Sequence, residues 1–148
     1  MTQKLITCQI GEQFLGIDIM AIREIRVWQP ATPLPGTPAH ILGVVNLRGT
    51  AVPVLDLRQR LGWGVTNPNE RNVIIVVQVE DQLQGLIVDA VDDVASFETT
   101  DMQPVPDTGI SHTGALLAGL VNAGERMILL LQLDHIVERV PQQVALAA

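Results

Sequence analysis

Three histidines, two serines and one cysteine are the residues of this chain best suited to covalent or proton-transfer chemistry. Their spacing argues against it. His40, His112 and His135 stand far apart, and none has a second His or Cys8 at ligand spacing. Ser96 and Ser111 lie outside any Gly-x-Ser-x-Gly elbow. Asp89, Asp92 and Asp93 cluster after an apolar run and could bind a hard cation. They lack the glycine and terminal glutamate of a calcium loop, so they read as a solvated turn. Neither a Gly-x-x-x-x-Gly-Lys loop nor a Gly-x-Gly-x-x-Gly fingerprint occurs. The sequence therefore predicts no catalysis, no metal and no cofactor. What remains is recognition chemistry, and its clearest candidate is Arg48, whose planar fork of donors can grip a partner's carboxylate.

Arg48 needs a stiff support, and its neighbours predict one. Two runs rich in Val, Leu and Ile, residues 41–45 and 51–57, flank the polar connection Asn46-Leu47-Arg48-Gly49. This is a strand–turn–strand signature, with Gly49 free to take the positive φ of a tight turn and Asn46 able to bond nearby backbone. Pro53 interrupts the second run and predicts an edge position or a bulge.

The rest of the chain reads as more short strands. Residues 5–10 and 14–19 form a hairpin around Gly11-Glu12-Gln13, and Ile17, Ala21 and Ile25 then repeat at helical spacing, predicting a short helical turn. Four prolines crowd residues 30–38, too many for regular structure. Asp56 to Leu61 reads as one more helical turn. A very apolar strand, 72–79, and a further strand, 83–88, then repeat the opening. With Ile6–Ile25 laid over Ile75–Val94 without a gap, Gln9 meets Gln78, Gln13 meets Gln82 and Gly16 meets Gly85. At a larger offset Gly43, Val45 and Asn46 meet Gly119, Val121 and Asn122, while Val52, Val54 and Leu57 meet Ile128, Leu130 and Leu133. The chain thus reads as two copies of a small β unit, with short strands and turn chemistry that suggest closed or nearly closed barrels.

Composition narrows the function classes. At 148 residues and 47% hydrophobic, the chain can bury a real core. A net charge of −7 disfavours phosphate backbones and anionic membranes. Two Trp and two Phe, scattered in sequence, do not make a stacking platform for nucleic acid. Trp28 and Trp63 read either as interface anchors or as caps on a barrel. Cys8, in the alternating run 5–10, reads as a small packed apolar residue. The first residues lack the basic start and apolar run of a signal peptide, and no stretch reaches the ~18–20 apolar residues of a membrane span. A cytoplasmic location is expected.

Taken together, Ile41-Leu42-Gly43-Val44-Val45-Asn46-Leu47-Arg48-Gly49-Thr50-Ala51-Val52-Pro53-Val54-Leu55-Asp56-Leu57-Arg58 resembles the signature hairpin of the CheW family of chemotaxis adaptors. The likeness extends, in the family's order, to Gly16-Ile17-Asp18-Ile19, Ile22-Arg23-Glu24-Ile25, Thr37-Pro38-Ala39, Gly85 to Val91 and Gly119-Leu120, covering roughly residues 3–140. It implies an all-β fold of two packed SH3-like five-stranded β-barrel subdomains with a few short helical turns. Residues 1–148 form one CheW-like domain, with nominal repeat units 3–70 and 71–140 between which strands can be exchanged.

The resemblance also implies a function: a non-catalytic scaffold coupling transmembrane chemoreceptors to a CheA-type histidine kinase, recruited to receptor arrays at the inner membrane. Its partners would be the regulatory domain of that kinase and the cytoplasmic tip of a methyl-accepting receptor, with no nucleic acid and no membrane insertion. The family's receptor-contact region falls on Ile22, Glu24, Gly43, Arg48, Val73, Ile74 and Val94, with the apolar members lining a groove and Glu24 and Arg48 fixing register by charge. A second kinase contact falls on Gln103, Asp107 and Thr108. At Gln103 and Thr108 the chain departs from the basic and bulky apolar residues that many relatives carry. The alternative reading is a free-standing β-barrel module that binds a peptide or small ligand.

Overall fold

The computed structural model describes residues 2–105 and 116–137, and strand is its main regular element. Ten strands occur in chain order: β1 (Thr2–Ile10), β2 (Gln13–Asp18), β3 (Ile22–Val27), β4 (Ile41–Leu47), β5 (Thr50–Asp56), β6 (Val73–Val79), β7 (Gln82–Val88), β8 (Ala90–Glu98), β9 (Leu117–Ala123) and β10 (Arg126–Leu131). Two four-residue helices, α1 (Leu57–Arg60) and α2 (Leu133–Ile136), follow β5 and β10. The fold is all-β, two packed SH3-like barrels of five strands each. One barrel has the order β8-β1-β2-β10-β9 and holds both ends of the described chain; the other, built from the middle, has the order β3-β6-β7-β5-β4.

The two orders are the same order. Under the sequence repeat β1 to β5 correspond to β6 to β10, and that substitution turns one barrel into the other. Each barrel therefore takes its first hairpin from one copy and its other three strands from the second. Within each, one parallel pair joins the hairpin to the rest: β2 with β10 in the terminal barrel, β7 with β5 in the middle barrel.

Packing explains why the exchange is stable. Strands such as β6 are buried on both faces, which is why they read as unbroken apolar runs. Ile74 and Val76 fill the interior of the middle barrel with Val45, Val52, Val54 and Ile87. Ile75 and Val77 point the other way, into the largest hydrophobic cluster, shared with Cys8, Ile10, Leu15 and Ile17 of the terminal barrel. Leu5, Phe97, Val121, Ile128 and Leu130 fill the interior of the terminal barrel. The main core thus lies between the barrels.

Each barrel is closed by a strap. After β3 the chain crosses to the far edge, where the amide of Thr32 donates to the Val44 carbonyl and the Val44 amide donates back, both at 2.8 Å. After β8, Gln103 and Leu120 make the equivalent pair at 2.7 and 2.8 Å. Gly43, beside Val44 with a φ of 146°, has the Thr32 carbonyl where a Cβ would stand. Gly85 meets a different limit, since a Cβ there would lie 2.7 Å from the Ile74 side chain inside the barrel.

The short helical turn expected after β2 is a three-residue 3-10 turn, Ile19–Ala21, and Ile25, which shares its spacing, already lies in β3. Pairing of the β-branched residues of β3 with β6 outweighs the local periodicity. Of the edge position or bulge expected at Pro53, the edge fails, because β5 has neighbours on both sides; an irregular register between Ile41 and Gly43 of β4 lies opposite Leu55 and Val54, beside Pro53, where the ladder to β7 starts.

Gly85→Ala should destabilise the fold by about 1–3 kcal/mol through overpacking, and Gly43→Ala by at least about 3 kcal/mol, because a backbone strap must move. Urea unfolding midpoints of the two variants test that order.

Candidate functional site

The hairpin that carries Arg48 turns in two residues. Arg48 and Gly49 both have positive φ, 51° and 86°, as a type I′ turn requires. Asn46 holds the turn, its Oδ1 accepting the Gly49 amide at 2.8 Å. A left-handed backbone is unusual for arginine, and here it aims the side chain back across the barrel mouth.

The target is Glu24. β3 and β4 are the two outer strands of the middle barrel, and the Glu24–Arg48 pair spans the gap between β3 and the β4–β5 turn. Arg48 Nη2 lies 2.5 Å from Glu24 Oε2 and Nη1 lies 3.4 Å from Oε1, a forked clasp. Arg26, two residues along the same strand face, donates to Glu24 Oε1 at 2.9 Å. Glu24 is thus held by two guanidiniums. The hydrogen bond from Arg48, then that from Arg26, keeps its carboxyl below the usual carboxylate range. Glu24 in turn raises the Arg48 guanidinium. The glutamate side chain is 21% exposed and the arginine 75%, so the clasp presents a cation outward over a shielded anion.

The sequence-predicted residues do not all gather here. Glu24 and Arg48 meet directly. Ile22 and Val73 are half-buried against the central cluster, at opposite ends of β3: Ile22 pairs with Val77, and Val73 with Val27. Ile74 is fully buried inside the middle barrel and Gly43 is buried beneath the strap, so both act on this surface by shaping it. Val94 is half exposed, on β8 of the other barrel. Gln103 is exposed while its backbone serves the second strap; Asp107 and Thr108 lie outside the described residues.

Three neighbours were missed in the sequence. Ile25 and Val27 are 43% and 76% exposed on β3, in register with Ile75 and Val73. With Val73 they form an apolar strip on the face of β3 and β6 that Ile75 shares, opposite to the face of Glu24 and Arg26. Alternation along residues 22–27 carried that signal, had the helical spacing not competed with it. Arg26 follows from the same alternation, sharing a face with Glu24. Trp28 packs against the interior of the middle barrel and Trp63 against the central cluster, which favours the role of caps.

Among the described residues, no three His, Cys, Asp or Glu side chains are placed to hold a metal ion. Burial pushes the Cys8 thiol up to about 12, far from a nucleophilic thiolate.

Comparison with known proteins assigns this arrangement to one lineage. The family model described as the CheW-like domain matches residues 4–140. The chain is 43% identical over 134 residues to a chemotaxis protein CheW of Rhizobium meliloti, covering 90% of this chain and 86% of that one. It is 39% identical over 143 residues to a probable CheW of Rhizobium etli, covering 97% and 92%. Among solved structures, the scaffolding protein TtCheW of Thermoanaerobacter tengcongensis superposes with a TM-score of 0.83 at 33% identity, covering 94% of this chain and 90% of that one.

The clasp sets a pH dependence. Unfolded Glu24 takes up its proton at a higher pH than folded Glu24, so the clasp's contribution to stability is complete above the ordinary glutamate range and disappears as pH falls through the lower, folded value. Denaturation midpoints of wild type and Glu24→Gln should therefore differ at about pH 7 and converge towards about pH 3. Added salt should narrow the neutral-pH difference, because Arg48 is open to solvent.

Proposed function

The chain belongs to the CheW-like family, and we propose that it serves as a non-catalytic chemotaxis adaptor joining a chemoreceptor's cytoplasmic tip to a CheA-type histidine kinase. The observation that carries this reading is the pairing of two unlike surfaces on one edge of the middle barrel. The Glu24–Arg48 clasp holds a cation in fixed position, and the strip of Ile25, Val27 and Val73 lies on the same pair of strands. An amphipathic receptor helix needs both: apolar area for its buried face, and a directional charge to set register.

In this reading Glu24 is a positioning residue and Arg48 the contact residue. Two of the Arg48 donors are engaged by Glu24, leaving Nε–H and the outer faces of the Nη groups for a partner's carboxylate. Ile22, Gly43 and Ile74 set the curvature and closure of the surface beneath. Val94, the repeat counterpart of Ile25, would border the receptor groove from the terminal barrel. A barrel-to-barrel contact with the kinase regulatory domain would sit at Gln103 on that barrel's strap, with Asp107 and Thr108 further along the chain. The adaptor acts by differential affinity. Binding one kinase conformation better than another, while bound to the receptor, links kinase output to receptor state. Recruitment to receptor arrays follows from the receptor contact. No helix among the described residues is long and apolar enough to cross a membrane.

Co-sedimentation with a receptor cytoplasmic fragment and the kinase tests the reading. Wild type should form a three-way complex. Arg48→Glu sets a second carboxylate against Glu24, and Glu24→Lys sets a third cation beside Arg26 and Arg48; each should weaken the receptor leg by about tenfold or more while kinase binding persists. Ile25→Glu should do the same by charging the apolar strip. An unchanged receptor leg in all three variants would remove this edge from the interface. Failure of wild type to bind either partner would overturn the adaptor reading itself.

A further inference from the structure

A second polar site lies away from the clasp, where the loop after α1 folds over the crossing between the barrels. A cavity of about 350 Å³ opens there, and Arg58, Thr66, Asn67, Asn69, Arg71 and Asp89 are on its wall. The wall is built rather than loose. Fully buried Asp56 accepts from the Thr66 amide at 2.7 Å and from its hydroxyl at 2.6 Å. At the far end of the loop buried Asn72 accepts from the Asn69 amide at 2.8 Å and donates to the Val88 carbonyl at 3.1 Å. The Trp63 amide donates to the Arg58 carbonyl at 2.9 Å. Both ends of the loop are therefore tied to the barrel before any ligand arrives.

Several donors on the cavity wall lack an acceptor among the described residues. Asp89 is already engaged, by the Arg58 guanidinium and by the Gly11 amide at 2.7 Å. Arg58 has an Nε that is buried without an acceptor, and the Arg71 guanidinium has no acceptor among the described residues. The Asn67 side-chain amide and the Asn69 Nδ2 add neutral donors that no acceptor among the described residues engages. Arg58 is engaged by Asp89, and the Asp56 carboxylate is fully buried behind Thr66, so Arg71 is the cation left on the open wall beside unfilled donors, an arrangement complementary to oxygen-bearing anions.

We propose that this cavity binds a small oxyanion, the phosphate or carboxylate group of a low-molecular-weight ligand, with Arg71 as the principal contact and the Asn67 and Asn69 amides as its neutral partners. The site is independent of the receptor and kinase assignments. It stands at the junction of the barrels, because Asp89 links β7 of the middle barrel to β8 of the terminal one and its own amide donates to Gln9 on β1 at 2.9 Å.

Backbone-amide NMR titration of the whole protein, with inorganic phosphate and separately with succinate at constant ionic strength, tests the site. Saturable shifts confined to residues 58, 65–67, 69–72 and 89 are expected for at least one of the two anions. Arg71→Gln, a substitution at an exposed side chain without partners among the described residues, should weaken binding by about tenfold, the loss of one charge-assisted contact, with an unchanged melting temperature. A response to phosphate alone identifies a phosphate-bearing ligand, to succinate alone a carboxylate, and to both a site that reads charge and oxygen geometry. Shifts that fail to saturate, that spread over the whole surface, or that persist at full affinity in Arg71→Gln would overturn the proposal.

Discussion

Everything in this molecule depends on one packing constraint: β1, β2, β6 and β7 must be covered on both faces. Their inner residues fill a barrel and their outer residues fill the cluster shared between barrels. Neither barrel can shed the other without exposing Ile75, Val77, Leu86 and Val88 on one side and Cys8, Ile10, Leu15 and Ile17 on the other. Water exclusion at that shared face is the dominant favourable contribution to the pairing. It also leaves the functional edges outside, because strands at a barrel's rim are the only ones with a face to offer.

The clasp uses this arrangement economically. A closed strand order still has a seam where its first and last strands meet, and a seam is where unpaired groups and a partner's approach coincide. In the middle barrel the seam is bridged at one level by main-chain bonds from Thr32 and at another by Arg48 on Glu24. The second bridge is made of side chains at the surface, so it responds to pH, salt and neighbours while the first does not. The terminal barrel repeats the main-chain strap but not the forked clasp. Gly124 occupies the turn position equivalent to Arg48, and Arg126 lies over the Phe14 ring and 3.7 Å from Asp92 instead. Two barrels of one design have thereby acquired different rims.

Sequence reasoning reached the architecture because its signals were redundant. Gly16 and Gly85 align in the repeat and stand in the same situation, each with no room for a methyl group inside its barrel. Asn46 and Gly49 announced a tight turn by their chemistry, and Gly49 has the positive φ that turn needs; that the turn is only two residues long, with Arg48 also left-handed, came from the structure. The site was harder to read. A strand buried on both faces carries no alternation, so nothing in Val73-Ile74-Ile75-Val76 says that Ile74 faces a barrel interior while Val73 borders the outer edge. The straps left no trace, since each rests on a single residue's backbone, at Thr32 and Gln103, and backbone pairing does not require a side-chain type. The second arginine on Glu24 was legible only once residues 22–27 were seen as a strand, and a competing helical spacing concealed that.

The interleaved strand order has a further consequence. Two separate chains, each carrying one copy of the unit, could build this same pair of barrels only by swapping their first hairpins, as a domain-swapped dimer does. Here the swap occurs within one polypeptide. Its assembly is set by the effective concentration that a covalent tether imposes, not by how much protein the cell contains. A symmetric dimer must also change both of its rims whenever it changes one. Fusion frees the two halves to diverge, which is the condition for a scaffold whose two ends hold different partners.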